Sequence, residues 1–376
     1  MREVCICKTG VLTGFGAGVD ALWEGSLCGA TAVRPVERFA TGRYLSSSAS
    51  WIEGLERGAA ASLLYPLLEM LLDGFGEVPR DALLVTATTK GSIDVLESLR
   101  DGAAPDAASL ATKGVLEWLA ARLGLSDPGM NINAACASST LAVARAAALI
   151  AAGRAEAVLV VCMDLVSEFV FSGFSALQAL DPERCRPFDR SRRGLSLGEG
   201  GAVLLLTSRE RAAAEGLPVL ATVAGWGAAN DATHITAPAR DACGLIQTVQ
   251  QTLCRASIGA GDVAAVSAHG TGTVYNDQME LTAFRALFGE RTLPVHSVKG
   301  AIGHTLGAAG GIEIALGVRC LQERLLPPTT GLLEPEAGGE EMVGATARPI
   351  AGSYLLSTNS GFGGVNAAVV LRREEP

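Results

Sequence analysis

The sequence predicts a layered α/β protein built from two similar halves. Three observations carry this. Short apolar β-type runs alternate with Ala/Leu-rich helical runs, one apolar small-residue helix recurs in each half, and the 376 residues exceed what a single small core absorbs.

In the first half, Leu83 to Ala87 reads as a strand, Ala107 to Leu123 as a helix and Met130 to Ala134 as a short strand. Ala137 to Ala152 is apolar nearly all round, as a buried helix is. Ala157 to Met163, AVLVVCM, has the continuous apolar character of a central strand covered on both faces, and Ala202 to Thr207 is another. In the second half, Pro218 to Ala224, Val263 to Ala268, Leu293 to Val298, Tyr354 to Thr358 and Ala367 to Leu371 read as strands. Gly244 to Ala256, Asp277 to Phe288 and the Ala/Gly-rich Gly307 to Leu321 read as helices. The junction falls near Ser208 to Leu217, giving halves 1–210 and 211–376.

Composition narrows the function classes. With 49% hydrophobic and 18% charged residues the chain is expected to fold around a large core. The 45 glycines are spread throughout and suit tight turns and close backbone packing. A net charge of −9 argues against a nucleic-acid partner. The nine cysteines are odd in number and irregularly spaced, so most read as buried thiols in a reducing compartment. There is no CxxC pair and no HExxH, so no metal site is expected. The N-terminus, MREVCICKTG, lacks a secretory pattern, and the one long Ala-rich run is broken by Arg145 and Arg154. A soluble cytoplasmic protein with no membrane contact is the expectation.

Four segments carry chemistry. In Asn133-Ala-Ala-Cys136-Ala-Ser-Ser-Thr140 a strand ends, small residues turn the chain and an apolar helix begins at the cysteine. A thiol there feels the positive end of the helix dipole, which can lower its pKa from about 8.5 into the range of roughly 3.5–7.5. Taken alone, Cys136 reads equally as a buried thiol in a small-residue turn. His269-Gly-Thr-Gly-Thr273, followed by Asn276, Asp277 and Glu280, sits where a strand meets a loop, a usual place for active-site groups. Lys299-Gly-Ala-Ile-Gly-His304 follows another strand and precedes the helix carrying Glu313. A lone histidine is more often structural, but the chain has only four, and two of them end strands in Gly-rich turns. The fourth segment, Gly361-Phe362-Gly363-Gly364, can bring backbone amides close to a ligand.

Together these segments resemble the ketosynthases, the β-ketoacyl-acyl-carrier-protein synthases of fatty-acid and polyketide assembly. The stretches Arg186-Pro-Phe-Asp189, Arg193-Gly194 and Gly198-Glu-Gly200 add to the likeness, which runs from Leu83 to the end. The resemblance implies the thiolase-like fold, with two duplicated α/β halves in five layers, αβαβα. The first half would carry the nucleophile, the second both histidines and the Gly-rich gate loop.

The resemblance also implies a mechanism. Cys136 accepts an acyl group from a phosphopantetheine thioester on acyl-carrier protein. A malonyl thioester then loses CO2 and its enolate attacks, lengthening the chain by two carbons. His269 and His304 would donate to the enolate oxygen. The amides of Cys136 and Phe362 would form the oxyanion hole, with Phe362, Gly361 and Gly363 shaping the gate. Lys299 and Glu313 would form a support pair holding His304, Asp277 would be a further supporting residue, and Thr271 and Thr273 would bind the pantetheine arm. No bound cofactor is implied.

The implied partners are acyl-carrier protein and a second ketosynthase-like subunit, in a homodimer or heterodimer. An acidic carrier would need a local basic patch, for which Arg184, Arg186, Arg190, Arg192 and Arg193 stand beside a reading of solvated charges and internal ion pairs. Two features depart from the pattern: Ser360 replaces the frequent Phe before the gate, and the region between Thr89 and Ala107 is compressed. Two other readings stay open, a non-condensing partner subunit resembling a chain-length factor and another acyltransferase on the same fold.

Overall fold

A computed structural model describes residues 1–56, 62–102, 110–289 and 291–374. Ten strands form the continuous path of an eleven-stranded mixed sheet, the eleventh, Gly16–Ala17, pairing the end of the first strand. In chain order they are β1 (Val4–Thr13), β2 (Leu83–Ala87), β3 (Met130–Ile132), β4 (Ala157–Asp164), β5 (Gly200–Ser208), β6 (Ala221–Asn230), β7 (Val263–Ser267), β8 (Val295–His296), β9 (Tyr354–Gly361) and β10 (Val365–Arg372). The order across the sheet is β8-β7-β9-β10-β6-β1-β5-β4-β2-β3.

Read outward from the centre, both sides have one topology. β1-β5-β4-β2-β3 is matched strand for strand by β6-β10-β9-β7-β8. In each set the inner pairings are antiparallel and the outer two parallel. The sets meet only where β1 pairs β6, at Cys5↔Thr222 and Ile6↔Ala221.

The helices repeat as well. α1 (Thr112–Leu123) and α2 (Ser138–Ala151) precede and follow β3, while α5 (Val274–Phe288) and α6 (Ala309–Glu323) precede and follow β8. Two further helices are α3 (Glu168–Ala176), beyond β4, and α4 (Cys243–Ala256), between β6 and β7.

Strand alternation explains the layering, because successive side chains point to opposite faces. Val158, Val160 and Cys162 of β4 join a central core with Ala142, Ala146 and Ile150 of α2 and Ile312, Leu316 and Cys320 of α6. Leu159, Val161 and Met163 face the other way, onto α1 and helix Leu64–Leu72. On the second side, Leu355 and Val369 face the centre, whereas Leu356 and Val370 pack with α4 and α5. The result is five layers with α2 and α6 in the middle, the αβαβα order expected. Small residues let these two helices approach: a Cβ on Gly310 would collide with Thr140 Oγ1.

Differences from the sequence reading are local. Helix α1 starts at Thr112, and residues 107–109 lie outside the described residues, as do residues 103–107 of the compressed 89–107 region. The run 293–298 yields only a two-residue strand, since Pro294 has no N–H to give and Lys299–Ile302 already turns helically. Strand β6 starts at Ala221 and runs on to Asn230, and the expected junction holds a short helix, Arg209–Glu215, capped by Ser208. Strand β1 escaped notice because Lys8, Thr9 and Gly10 interrupt its apolar pattern and its register shifts between Ile6 and Lys8.

Candidate active site

The chemistry-bearing segments converge at the C-terminal ends of β3, β7, β8 and β9. Ala135 adopts φ +49°, a conformation rare outside glycine, and this sharp turn lifts Cys136 off the end of β3. Ser138 closes the turn, accepting from the Ala134 N–H at 2.9 Å and donating to the Ala135 carbonyl at 2.5 Å. Helix α2 starts at Ser138 with no side-chain cap, two residues beyond the thiol.

Cys136 is only 7% exposed. Burial pushes its thiol up to about 11, and the Lys299 charge and the Phe362 amide offset this only in part. Loss of solvation is thus the largest influence on this thiol, and it acts against the lowering expected of a helix N-terminus.

Gly361 lies against the same turn. A Cβ there would stand 2.8 Å from the Ala134 oxygen and 3.2 Å from the Cys136 nitrogen. The next residue, Phe362, directs its amide at the thiol and stacks its ring on Phe174 of α3, with centroids 6.0 Å apart. Gly363, at φ +88°, donates its N–H to the Ile235 carbonyl at 2.6 Å.

His269 and His304 are both buried, with ring centroids 5.2 Å apart and planes at 83°. Ligand atoms of Cys136, His269 and His304 all lie within 4.8 Å of one another. Burial first, and then the Lys299 charge, hold both imidazoles well below the usual histidine range, so both are neutral.

His304 Nδ1 accepts the Leu306 N–H at 3.2 Å, which leaves the ring proton on Nε2. That Nε2 has no partner among the described residues and faces the cavity. Asp164 braces the turn that supplies the Leu306 amide, accepting from Gly307 N at 2.7 Å and from the Thr88 and Thr89 hydroxyls at 2.7 and 2.8 Å.

His269 Nδ1 lies 3.1 Å from the Asn359 amide nitrogen. The His269 and Gly270 N–H groups donate to Glu280 at 2.7 and 2.6 Å, and the Thr271 N–H donates to Asp277 at 3.0 Å. Asp277 also accepts from Phe188 N at 2.7 Å, so α5 anchors the whole HGTGT loop. Burial, with Asp277 close by, pushes Glu280 up to about 8.

Lys299 Nζ donates to Glu313 and, at 2.5 Å, to the His269 carbonyl. The other Glu313 oxygen accepts from Asn359 at 2.8 Å. The support pair thus reaches His269 and not His304, because His304 draws its Nδ1 donor from its own loop. Thr271 and Thr273 share a hydrogen bond at 2.8 Å between their hydroxyls.

Cys136, His269, His304, Thr271, Thr273 and Phe362 line one cavity of about 480 Å³. A metal would need the Nε2 lone pairs of both rings. Protonated Nδ1 atoms would then meet the N–H groups of Leu306 and Asn359, so the donor set suits hydrogen bonding and not ligation.

The arginine cluster is largely occupied. Arg186 pairs with Glu183 at 2.8 Å, Arg190 with Glu334 at 2.8 Å and Arg193 with Glu183 at 3.1 Å. Arg192 is buried against Asp277 at 3.5 Å and Glu336. Of the five, Arg184, Arg190 and Arg193 are exposed, Arg186 is half-buried and Arg192 is buried. Ser360 lines the cavity and donates to Asn366 at 2.6 Å. Asp164 and Asn359 lie outside every motif, since nothing in their local sequence marks them, and Thr140 closes the Cys136 segment with no role assigned to it from sequence.

Residues 94–212 match the Beta-ketoacyl synthase N-terminal domain, and residues 220–333 the Beta-ketoacyl synthase C-terminal domain. The 3-oxoacyl-[acyl-carrier-protein] synthase 2 of Rhizobium meliloti (strain 1021) is 31% identical over 99% of both chains. The chain belongs to the β-ketoacyl synthase family. Nodulation protein E of Rhizobium meliloti is 36% identical over 67% of this chain and 63% of its own length. Among solved structures, a β-ketoacyl synthase from Burkholderia phymatum STM815 superposes with a TM-score of 0.88 at 27% identity over the full length of both chains. A chain of the ishigamide ketosynthase/chain length factor superposes with a TM-score of 0.89 at 26% identity, again over 100% of both. The fold is that of the thiolase-like ketosynthases, and the protein is a chain-extending β-ketoacyl synthase.

Proposed function

We propose that the cavity carries out a decarboxylative condensation on acyl-carrier-protein thioesters, with Cys136 as nucleophile. The Cys136 sulfur bonds to the acyl carbon, the carrier's C–S bond breaks, and the thiol proton leaves with the carrier thiol. A malonyl thioester then loses CO2. The resulting enolate carbon attacks the acyl carbon, and the Cys136 C–S bond breaks, expelling Cys136 as a thiolate that takes up a proton from solvent to return to the thiol.

One observation carries this reading: neutral histidines on two different loops converge beside the nucleophile, and His304 holds an unpartnered Nε2–H there. Two N–H donors preset in a buried cavity suit an enolate oxygen, where a single oxyanion donor is worth about 3–4 kcal/mol. The amides of Cys136 and Phe362 suit the oxyanion of acyl transfer. Thr271 and Thr273 hold the pantetheine arm at the mouth, whose exposed Leu177, Val274 and Tyr275 give an apolar rim. Lys299, Glu313 and Asp277 position the loops.

Acyl-carrier protein is the carrier that the Rhizobium relative's name specifies. A second ketosynthase-like subunit is the partner that the ishigamide pair suggests. We take residues 1–210 and 211–376 as the two halves, and a cytoplasmic site of action, which fits nine unpaired thiols. Among the described residues no helix is long and apolar enough to cross a membrane.

Intact-mass measurement after incubation with acyl carrier proteins, together with CO2 release from malonyl carrier protein, tests the reading. The expected result is acyl mass on Cys136 and CO2 release that depends on it. Acylation without CO2 release would point to a thiolase or other acyltransferase. Iodoacetamide labelling of another cysteine, with condensation intact, would remove Cys136 as nucleophile.

A further inference from the structure

Asn359 lies outside every motif, yet it touches three parts of the site at once. It sits near the end of β9, two residues before Gly361, and is fully buried. Its Oδ1 accepts from the Thr140 hydroxyl, in the first turn of α2. Its Nδ2 donates to Glu313 at 2.8 Å and lies 3.1 Å from His269 Nδ1.

These contacts fit the amide in one orientation only. Glu313, ion-paired with Lys299, presents carboxylate oxygens, so the Asn359 atom facing it must carry hydrogens. The opposite face meets a hydroxyl, which can donate. The two Nδ2 hydrogens then serve Glu313 and His269, and His269 Nδ1 is left as a bare acceptor. A neutral imidazole has one N–H, so the proton sits on Nε2. With the other tautomer, Nδ1–H would face the Asn359 N–H and a lone pair would face the substrate.

We infer that Asn359 is a positioning residue for His269: held by Thr140 and Glu313, its amide dictates the Nε2–H tautomer and so aims that donor at the oxygen of the reacting thioester. The second clause rests on the reading of His269 as an enolate donor; the tautomer itself does not. His304 receives the same service from the Leu306 backbone amide. Of the two rings, His269 is therefore the one whose tautomer a side-chain substitution can change.

The test is a long-range 1H–15N spectrum of the full-length protein labelled with 15N-histidine, the His269 signals being assigned from a His269→Ala sample. The expected wild-type pattern is a protonated Nε2 and a bare Nδ1. In Asn359→Leu the pattern should move to a mixture or to Nδ1–H. CO2 release from malonyl carrier protein should then fall by up to about 100-fold, the loss of one oxyanion donor, with acyl loading of Cys136 retained. Thr140→Val, which loosens the amide, should shift both readouts less and in the same direction. A wild-type His269 bearing Nδ1–H or a full charge at neutral pH overturns the inference, whether or not the leucine variant folds. An unchanged Nε2–H pattern in folded Asn359→Leu overturns it as well. A shifted tautomer with undiminished CO2 release refutes the donor role of His269 and leaves the tautomer control standing.

Discussion

The rings of His269 and His304 meet edge to face, 5.2 Å between centroids, and a different hydrogen-bond donor occupies Nδ1 of each. Neither ring is arranged to take a proton from Cys136, because the nitrogen nearest the cavity already carries one. The pair is built to donate. His304→Ala is therefore expected to keep acyl loading on Cys136 and to lose CO2 release by about 100-fold or more, the scale of one oxyanion donor. Intact mass and CO2 release from the same sample check this. A variant that cannot be acylated would place His304 in the first stage instead.

Much of the site was legible because its parts punctuate the sequence. Cys136, His269 and His304 each follow an apolar strand and stand in a turn of Gly, Ala or Thr, and repeated strand–helix patterning gave the layered fold. Burial depth was not legible. A helix N-terminus can be read from residues 133–140, but how deeply Cys136 is buried cannot, and the Lys299 charge and Phe362 amide that partly offset that burial lie far along the chain. Long-range pairing was hidden for the same reason. Asn359 and Thr140 are 219 positions apart, and Arg192 finds Glu336 144 positions away.

The thiol itself gives the next test. With its pKa pushed up to about 11, the fraction of Cys136 thiolate should rise about tenfold per pH unit through the neutral range. The rate of iodoacetamide labelling at Cys136, followed by peptide mass from pH 6.5 to 9, is expected to climb throughout without levelling. Lys299→Met removes the positive charge that opposes burial, so labelling should slow at every pH. A plateau near neutral pH would show a thiolate already formed and restore the helix-terminus expectation.

His296 gives a stability prediction away from the cavity. It is buried at the end of β8, and burial pushes it down to about 4 against the weaker pull of the Pro327 and Pro328 carbonyls. The folded ring stays neutral while the unfolded ring charges below about 6.5. The unfolded state therefore binds more protons between those values, and stability falls as pH drops through that window. The full shift corresponds to about 3 kcal/mol. The buried carboxyls of Asp164 and Glu280, raised by desolvation, act in the opposite sense. Comparison with His296→Leu isolates the histidine: its stability relative to wild type should improve by about 2–3 kcal/mol between pH 7.5 and 4.5, read from urea midpoints. A constant difference between the two proteins would mean that His296 does not titrate there.

Gly361 separates the two stages of the reaction by geometry. It has no room for a side chain, since a Cβ would stand 2.8 Å from the Ala134 oxygen, closer than such atoms pack, and 3.2 Å from the Cys136 nitrogen. Those atoms belong to the strained turn at Ala135, which is held by Ser138 and cannot easily yield. The loop would have to move instead, carrying the Phe362 amide away from the thiol. Gly361→Ala should thus lose one donor of the acyl-transfer oxyanion hole, slowing acyl loading by about 100-fold. The histidines draw their Nδ1 donors from Leu306 and Asn359, so their tautomers should stay as they are. Once an acyl group has been loaded by long incubation, CO2 release should approach the wild-type rate. Rapid-quench loading, followed by CO2 release from the preloaded enzyme, measures the two stages apart. Equal slowing of both would show that the 361–364 loop also holds the malonyl thioester.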